Sequence, residues 1–401
     1  MGLRSIKEIY ITGHGPSSSH TMGPYFACQY ILKKYKDIKF IEVTLYESLA
    51  LTGKGHLTDF IIDKALKDIE HTIIFDTKTR TKHPNTMTFK VFDNSGAKHI
   101  ENVISIGGGS IITADNINAT NDNLIYPHTH MKEIVKYCQD NDLSLYEYVT
   151  KYEDKDIYEY CENVLKVMDE AFARGLAAEG VLPGKLKVKR KAKAMYDAME
   201  ETALAENDVA MNVAIASFAV AEENAAGGII VTAPTCGSAG VIPGCIKYLR
   251  MKGVSDENII RGLAVAGLFG IVCKINASVS GAECGCQAEI GVACSMGAAM
   301  IAFCFGKDIV DIVQSAEIAL EHSLGLTCDP VDGYVQIPCI ERCAIYAVKA
   351  INAVKLAIVI PNDDIHVSYD DSIRTMYKTG LDMNEKYKET SLGGLAEIIK
   401  D

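Results

Sequence analysis

The spacing of apolar residues changes character once along this chain, and that change limits what it can fold into. Between residues 38 and 106 the pattern is that of strands. Ile41, Val43 and Leu45 alternate with Glu42 and Thr44, and Met87, Phe89 and Val91 lead through Asp93-Asn94-Ser95-Gly96 into an apolar run from Ile100 to Ile106. Alternation at period two turns one face of a strand inward, and two such runs joined by a Gly-containing turn predict a hairpin. Residues 25–35 and 58–69 carry helical spacing instead, so the chain up to Tyr126-Pro127 predicts a small α/β domain. From Met131 onward strand signals nearly vanish. Residues 211–223, 259–273 and 288–304 are long apolar helical patterns rich in Gly and Ala. Small side chains let helix backbones approach closely, which predicts a buried bundle. The expected fold class is α+β: a small N-terminal α/β sandwich domain over 1–130, followed by a larger all-helical domain over 131–401.

Composition narrows the partners. A chain of 401 residues, 48% apolar and 23% charged, is long enough for two ordinary cores. Its net charge of -12 argues against nucleic acid or an anionic membrane as the main partner and for a small-molecule substrate. The start, MGLRSIKEIYITGHG, has no apolar run after its basic residues, and Ile6 breaks the myristoylation pattern. The uncharged stretches 224–246 and 290–306 are interrupted by prolines or dense in small residues and read as buried segments, not membrane spans. A cytoplasmic protein with reduced thiols is therefore expected. Its thirteen cysteines are then read mostly as core residues, since free cysteine packs as a small hydrophobe. The basic residues 183–194 read as an exposed connector.

Four segments are rich enough in polar groups to carry chemistry. GPSSSHTMGP places Ser17, Ser18, Ser19, His20 and Thr21 ahead of a helical stretch, where hydroxyls and first-turn amides can meet an anion. A Ser-rich turn with an N-cap accounts for the same residues. TGKGHLTD sets His56 in a Gly-rich turn, as an acid or base near neutrality or as an ordinary surface histidine. ENAAGGIIVTAPTCGSAGVIPG gathers Asn224, Thr235 and Ser238 among glycines and lacks both nucleotide-binding glycine patterns. It suits a ligand loop and tight helix packing equally. KINASVSGAECGCQAEIG holds Lys274, Asn276, Ser278, Ser280, Glu283, Cys286 and Glu289. Polar groups so dense in an apolar region are costly unless satisfied or functional, and function is favoured. Cys286, Cys328 and Cys339 number three where a closed structural metal site takes four, so as ligands they leave one metal position open. No CxxC pair supports them, and spacing alone explains them better as core residues.

Together these segments resemble the iron-sulfur-dependent L-serine dehydratases, or L-serine ammonia-lyases, in their single-chain form. SSSHTMGP, LALTGKGHLTD, HPNTM and SIGGG are similar to the family's β domain, and ENAAGG, TAPT, NASVSGAE, GCQAEIGVACSMGAAM, EHSLGLTCDPV, VQIPCIER and AVKAINA to its catalytic α domain. The resemblance implies that Cys286, Cys328 and Cys339 hold a four-iron, four-sulfur (4Fe-4S) cluster whose fourth iron faces substrate. It makes His56 the base; Lys274 is kept as a catalytic candidate on the sequence's own reading, His83 and Lys274 being next in line if His56 is not the base. Ser17, Ser18, Ser19, His20 and Thr21 match the loop that holds substrate in the family, and Asn85, Thr235, Ser238 and Asn276, in the other polar segments, are further candidate substrate-binding residues. The implied reaction takes L-serine to pyruvate and ammonia in an oxygen-sensitive, cytoplasmic, commonly homodimeric enzyme. Pyridoxal phosphate, the other common route, needs a Schiff-base lysine; Lys274 is available by type, but nothing around it resembles a phosphate cup.

Two other readings stay open: a same-fold lyase for L-threonine or L-cysteine, and a non-catalytic sensor holding a cluster or zinc. Leu57 and Cys236 depart from the commoner family residues in presumed substrate loops. The tail YKETSLGGLAEIIKD resembles the family's but ends without a cysteine, so water, the Asp401 carboxylate or no ordered ligand is expected at the fourth iron.

Overall fold

The computed structural model describes residues 2–115, 124–201, 208–361 and 365–399. The expected α+β class is observed: a small N-terminal part with a mixed sheet and helices precedes a larger helical part. The strands are β1 (Thr12–His14), β2 (Ile38–Tyr46), β3 (Glu70–Asp76), β4 (Thr86–Asp93), β5 (Lys98–Ser105), β6 (Ile111–Ile112) and β7 (Ile229–Val231). Five of them form one sheet in the order β3-β2-β4-β5-β6, in which β2 and β3 run parallel and the other neighbours antiparallel. The hairpin falls where the alternation places it, with Val91 opposite His99 and Phe89 opposite Glu101.

Ile41, Val43 and Leu45 of β2 and Met87, Phe89 and Val91 of β4 bury one face of this sheet against Ala27, Cys28 and Ile31 of the helix Gly23–Lys34 and Ile61 and Ile62 of the helix Thr58–Ala65. Glu101 is buried as well and is satisfied by the Tyr35 hydroxyl at 2.5 Å and Lys34 Nζ at 2.8 Å. Parallel strands need a crossover, and the one from β2 to β3 consists of the helices Glu47–Thr52 and Thr58–Ala65. His56 sits in the turn between them.

In the larger part, the apolar helix Val292–Cys304 packs against Val241–Met251, Asp256–Asn276, Ile309–Glu321 and Cys339–Ala357. Two helices, Asp256–Asn276 and Gln287–Cys304, are long and apolar enough to cross a membrane, and 78% and 89% of their apolar windows are buried within the protein. Membership of the two cores does not follow chain order. Leu3, Ile6, Ile9, Tyr10 and Tyr126 all belong to the core of the helical part. β1 pairs antiparallel with β7, Thr12 opposite Val231, and Thr232 Oγ1 donates to Ile9 O at 2.7 Å while accepting from Ile11 N-H at 2.8 Å. The serine-rich loop that follows β1 therefore leaves directly from the surface of the helical bundle. The basic connector is exposed over much of its length, but its end is not free: Lys191 N-H donates to Glu222 at 2.6 Å where the helix Ala192–Glu200 begins.

Small residues set the helix spacing, as the Gly- and Ala-rich pattern predicts. A Cβ on Gly175, in the helix Ile157–Ala177, would lie 1.9 Å from Ala219 O of the helix Val209–Ala225. Backbone cannot yield as a side-chain tip can. Gly175→Ala is expected to lower stability by about 1–3 kcal/mol, read as a lower urea midpoint at unchanged slope.

Candidate active site

Cys286 and Cys339 both stand at helix starts: Cys286 precedes the helical run Gln287–Cys304 and Cys339 opens Cys339–Ala357. First-turn amides and the helix dipole favour a thiolate at such positions. Cys328 lies in the loop after the helix Ile309–Glu321. The three converge on one buried cavity, whose wall also includes Ser17, His56, Gly237, Glu289 and Glu389. Cys286 Sγ, Cys328 Sγ and a Glu289 carboxylate oxygen lie within 4.8 Å of one another, and Glu289 Oε2 is 3.8 Å from Cys328 Sγ.

Helical spacing places Glu289 three residues after Cys286, and likewise Arg342 three after Cys339. The Arg342 guanidinium is held by Thr327 O at 2.9 Å and Asp329 Oδ1 at 3.3 Å. The Cys328 thiol, donating to Cys286, and the Arg342 charge together pull the Cys286 thiol down to about 6. Cys328 is pushed up, because both sulfurs cannot ionise side by side. Burial pushes Cys339 and Glu289 up as well, with Glu389 and Cys286 adding to the effect on Glu289.

His56 is fully buried. Its Nδ1 lies 3.0 Å from Thr52 O, and a carbonyl only accepts, so Nδ1 carries the proton. Nε2 is then a bare lone pair, with no hydrogen-bond partner among the described residues. Burial lowers this imidazole to about 4 and keeps it neutral at pH 7. Its ring stacks on His20 with centroids 4.5 Å apart, and Thr21 Oγ1 donates to His56 O at 2.7 Å while Thr58 Oγ1 donates to His20 O at 2.6 Å. These crossed bonds lock the serine-rich loop to the His56 turn.

The C-terminal tail closes the cavity. Cys328 N-H donates to Tyr387 O and Glu389 N-H to Cys328 O, each at 2.8 Å, and Ser391 Oγ donates to Pro330 O at 2.7 Å. Glu389 and Ser391 hold φ of 57° and 56°, a left-handed conformation that side chains disfavour and that the surrounding bonds must maintain. The turn aims Glu389 Oε1 at His56 Nε2, 3.6 Å away. Burial and the Cys286 charge push the Glu389 carboxyl up to about 7. Lys400 and Asp401 lie outside the described residues.

Of the residues named from sequence, Ser17, His56, Cys286, Cys328 and Cys339 line the cavity. Ser19, His20 and Thr21 stand behind Ser17, with His20 bonded to Ser19 Oγ at 2.8 Å and Ser48 Oγ at 3.0 Å. Ser18 is buried and its carbonyl accepts the Gly23 amide. Thr235 and Ser238 bond each other at 3.2 Å on either side of Gly237, and the Thr235 hydroxyl also reaches Glu289. Asn85 is buried, its Oδ1 without a hydrogen-bond partner among the described residues, in a loop whose Pro84 carbonyl accepts from Ser48 N-H.

Two named residues are elsewhere. Lys274 Nζ lies 3.1 Å from Glu8 Oε2, and Asn276 Nδ2 donates to Thr129 O at 2.7 Å. Neither lines the cavity. Leu57 holds φ of 56° with its side chain against Gly227, and Cys236 packs in a small core with Met22 and Ala239. Glu289 is named from sequence only within its polar segment, and Arg342 and Glu389 are unmarked there. The spacing of three residues from a cysteine is a local signal for the first two, and nothing local marks the third.

Family models and known proteins agree in their matches. A model described as serine dehydratase alpha chain matches residues 77–396, and one described as serine dehydratase beta chain matches residues 5–72. The chain is similar to the L-serine dehydratase of Haemophilus influenzae (strain ATCC 51907 / DSM 11121 / KW20 / Rd), 38% identical over 98% of this chain and 99% of that protein. L-serine dehydratase 2 of Escherichia coli (strain K12) is 39% identical over the same shares, and the L-serine dehydratase of Helicobacter pylori (strain ATCC 700392 / 26695) is 38% identical over 100% of both chains.

The His56 geometry predicts a spectroscopic result. In 15N-histidine-labelled protein, assigned by the loss of signal in His56→Asn, His56 is expected as the Nδ1-H tautomer and neutral until the pH falls towards about 4. An ordinary histidine protonates near 6.5. Because the unfolded chain binds the proton first, this group favours the folded state fully above pH 6.5 and loses that contribution as pH falls through 4. A His56 titrating near 6.5 contradicts the assignment.

Proposed function

The chain belongs to the serine dehydratase family, and from that membership we propose that it removes water from L-serine and releases ammonia, leaving pyruvate. The observation that carries the reading is a neutral imidazole with a bare Nε2 on the same buried cavity as three thiols.

The residues fit a 4Fe-4S cluster. Thiolates are the soft donors such clusters take, and Cys286, Cys328 and Cys339 would hold it. Three thiols and two carboxylates crowd together beside Arg342, Cys339 and Glu289 only partly buried, and contact with Cys286 raises Cys328 while burial and mutual repulsion raise Cys339, Glu289 and Glu389, a local deficit of counter-charge. A positively charged iron-sulfur core relieves that deficit. When bound, the cluster supplies a Lewis acid at its open iron that makes hydroxide a better leaving group.

The protein's own groups handle the proton. His56 Nε2 takes the hydrogen from Cα, its lone pair free because Nδ1-H is committed to Thr52 O. The C-H electron pair becomes the Cα-Cβ double bond as hydroxide leaves Cβ, and the proton held on Nε2 passes to that hydroxide, giving aminoacrylate and water and restoring the neutral imidazole. Aminoacrylate tautomerises to the imine, which water hydrolyses to pyruvate and ammonia. Ser17 Oγ accepts His20 N-H at 3.1 Å and lies 3.4 Å from Ser19 Oγ, and from its place on the cavity wall its hydroxyl is the group that donates to the substrate carboxylate. Burial keeps competing water from the base. The same reading takes the enzyme to be soluble, cytoplasmic and homodimeric, and independent of nucleic acid and membrane.

Two substitutions separate the roles. Cys328→Ala is expected to lose iron, sulfide and pyruvate formation together. His56→Ala is expected to keep the iron and the visible absorption while turnover falls by about 10²–10⁴-fold. Anaerobically purified protein that is colourless and binds zinc sinks the cluster, and kcat/KM for L-serine below that for L-threonine or L-cysteine sinks the substrate.

A further inference from the structure

Glu389 faces the wrong nitrogen of His56 to be a supporting partner of the base. In a catalytic dyad the carboxylate holds the nitrogen opposite the reacting one. Here that nitrogen, Nδ1, is already held by Thr52 O at 3.0 Å. Glu389 Oε1 lies instead 3.6 Å from Nε2, on the side from which the substrate proton must come. Glu389 is only 7% exposed, and its backbone is bonded to Cys328 O, so its carboxylate belongs to the cavity wall.

An amino acid whose Cα hydrogen meets Nε2 carries its ammonium one bond angle away on the same carbon. A carboxylate beside Nε2 is then within hydrogen-bonding reach of that ammonium, whereas a buried ammonium left unpaired is costly. Glu289, the other carboxylate on this cavity among the described residues, sits on the thiol side, 3.8 Å from Cys328 Sγ. The geometry points to Glu389 as the residue that recognises the substrate's α-ammonium and so makes the site select amino acids over hydroxy acids. This inference rests on the cavity being the serine-deaminating site.

The test uses anaerobic holoenzyme and two unreactive ligands measured by calorimetry. L-alanine keeps the ammonium and carboxylate, and 3-hydroxypropanoate keeps the carboxylate and hydroxyl but has no ammonium. In E389Q, L-alanine is expected to bind about 10- to 100-fold more weakly, with 3-hydroxypropanoate affinity, iron content and visible spectrum unchanged, and KM for L-serine rising with the loss for L-alanine. E389D, which keeps the charge, is expected to retain part of the preference. Equal weakening of both ligands, or loss of iron in both variants, overturns the inference in favour of a structural role. Failure of the underlying reading looks different: wild-type holoenzyme then makes no pyruvate from L-serine and binds neither ligand.

Discussion

Close backbone approach between helices is the constraint on which the rest of this structure depends. Gly175 faces the Ala219 carbonyl, and Gly297 has no room for a Cβ beside Cys245 Sγ, which would lie 2.7 Å away. Helices that cannot separate hold their ends in place, and two of the three cavity thiols are at helix ends. The same bundle accepts β1 through β7 and so fixes where the serine-rich loop begins. Local rigidity in the helical part thus sets positions in loops that belong, by sequence, to the other half of the chain.

The cavity concentrates groups that an apolar interior normally excludes. Glu289, Glu389 and Cys339 are shifted towards their neutral forms and His56 away from its charged form, chiefly by burial, whereas Cys328 and Arg342 draw Cys286 towards its thiolate. On the proposed reading, such a site suits a cationic centre and a polar substrate. A neutral imidazole whose Nε2 has no hydrogen-bond partner among the described residues and a group of crowded acids are complementary halves of that state. The tail contributes by backbone hydrogen bonds more than by burial, since the helix Leu395–Ile398 buries only Ala396. Its left-handed residues show that position there is maintained against local preference.

Much of the fold was legible because apolar periodicity reports which face of an element is buried. The β4–β5 hairpin and the long Gly- and Ala-rich helices follow from it directly. The first fourteen residues were not legible in this way. Ile6, Ile9 and Tyr10 are apolar without a period long enough to say against what they pack, and only pairing with β7 assigns them to the helical core. Within the site, the cysteines and His56 could be named from motifs, whereas Lys274 and Asn276 came from the same polar segment yet face Glu8 and Thr129. Helical residues two apart point in different directions, so membership of a motif does not confer membership of a site.

The amino-acid sequence by itself determined the elements, the family and the kinds of group available: three thiols, an imidazole and a run of hydroxyls. The elements and groups follow from local periodicity and residue chemistry and the family from the match of its motifs, none of which needs knowledge of distant contacts. Only the tertiary structure decided which nitrogen of His56 is bare, since that depends on the Thr52 carbonyl 3.0 Å away, and which carboxylates share its cavity. Glu389 stands 103 residues beyond Cys286 and 333 beyond His56 in the chain. No spacing rule reaches across such distances, because the pairing that brings them together is made by backbone groups that every residue carries alike.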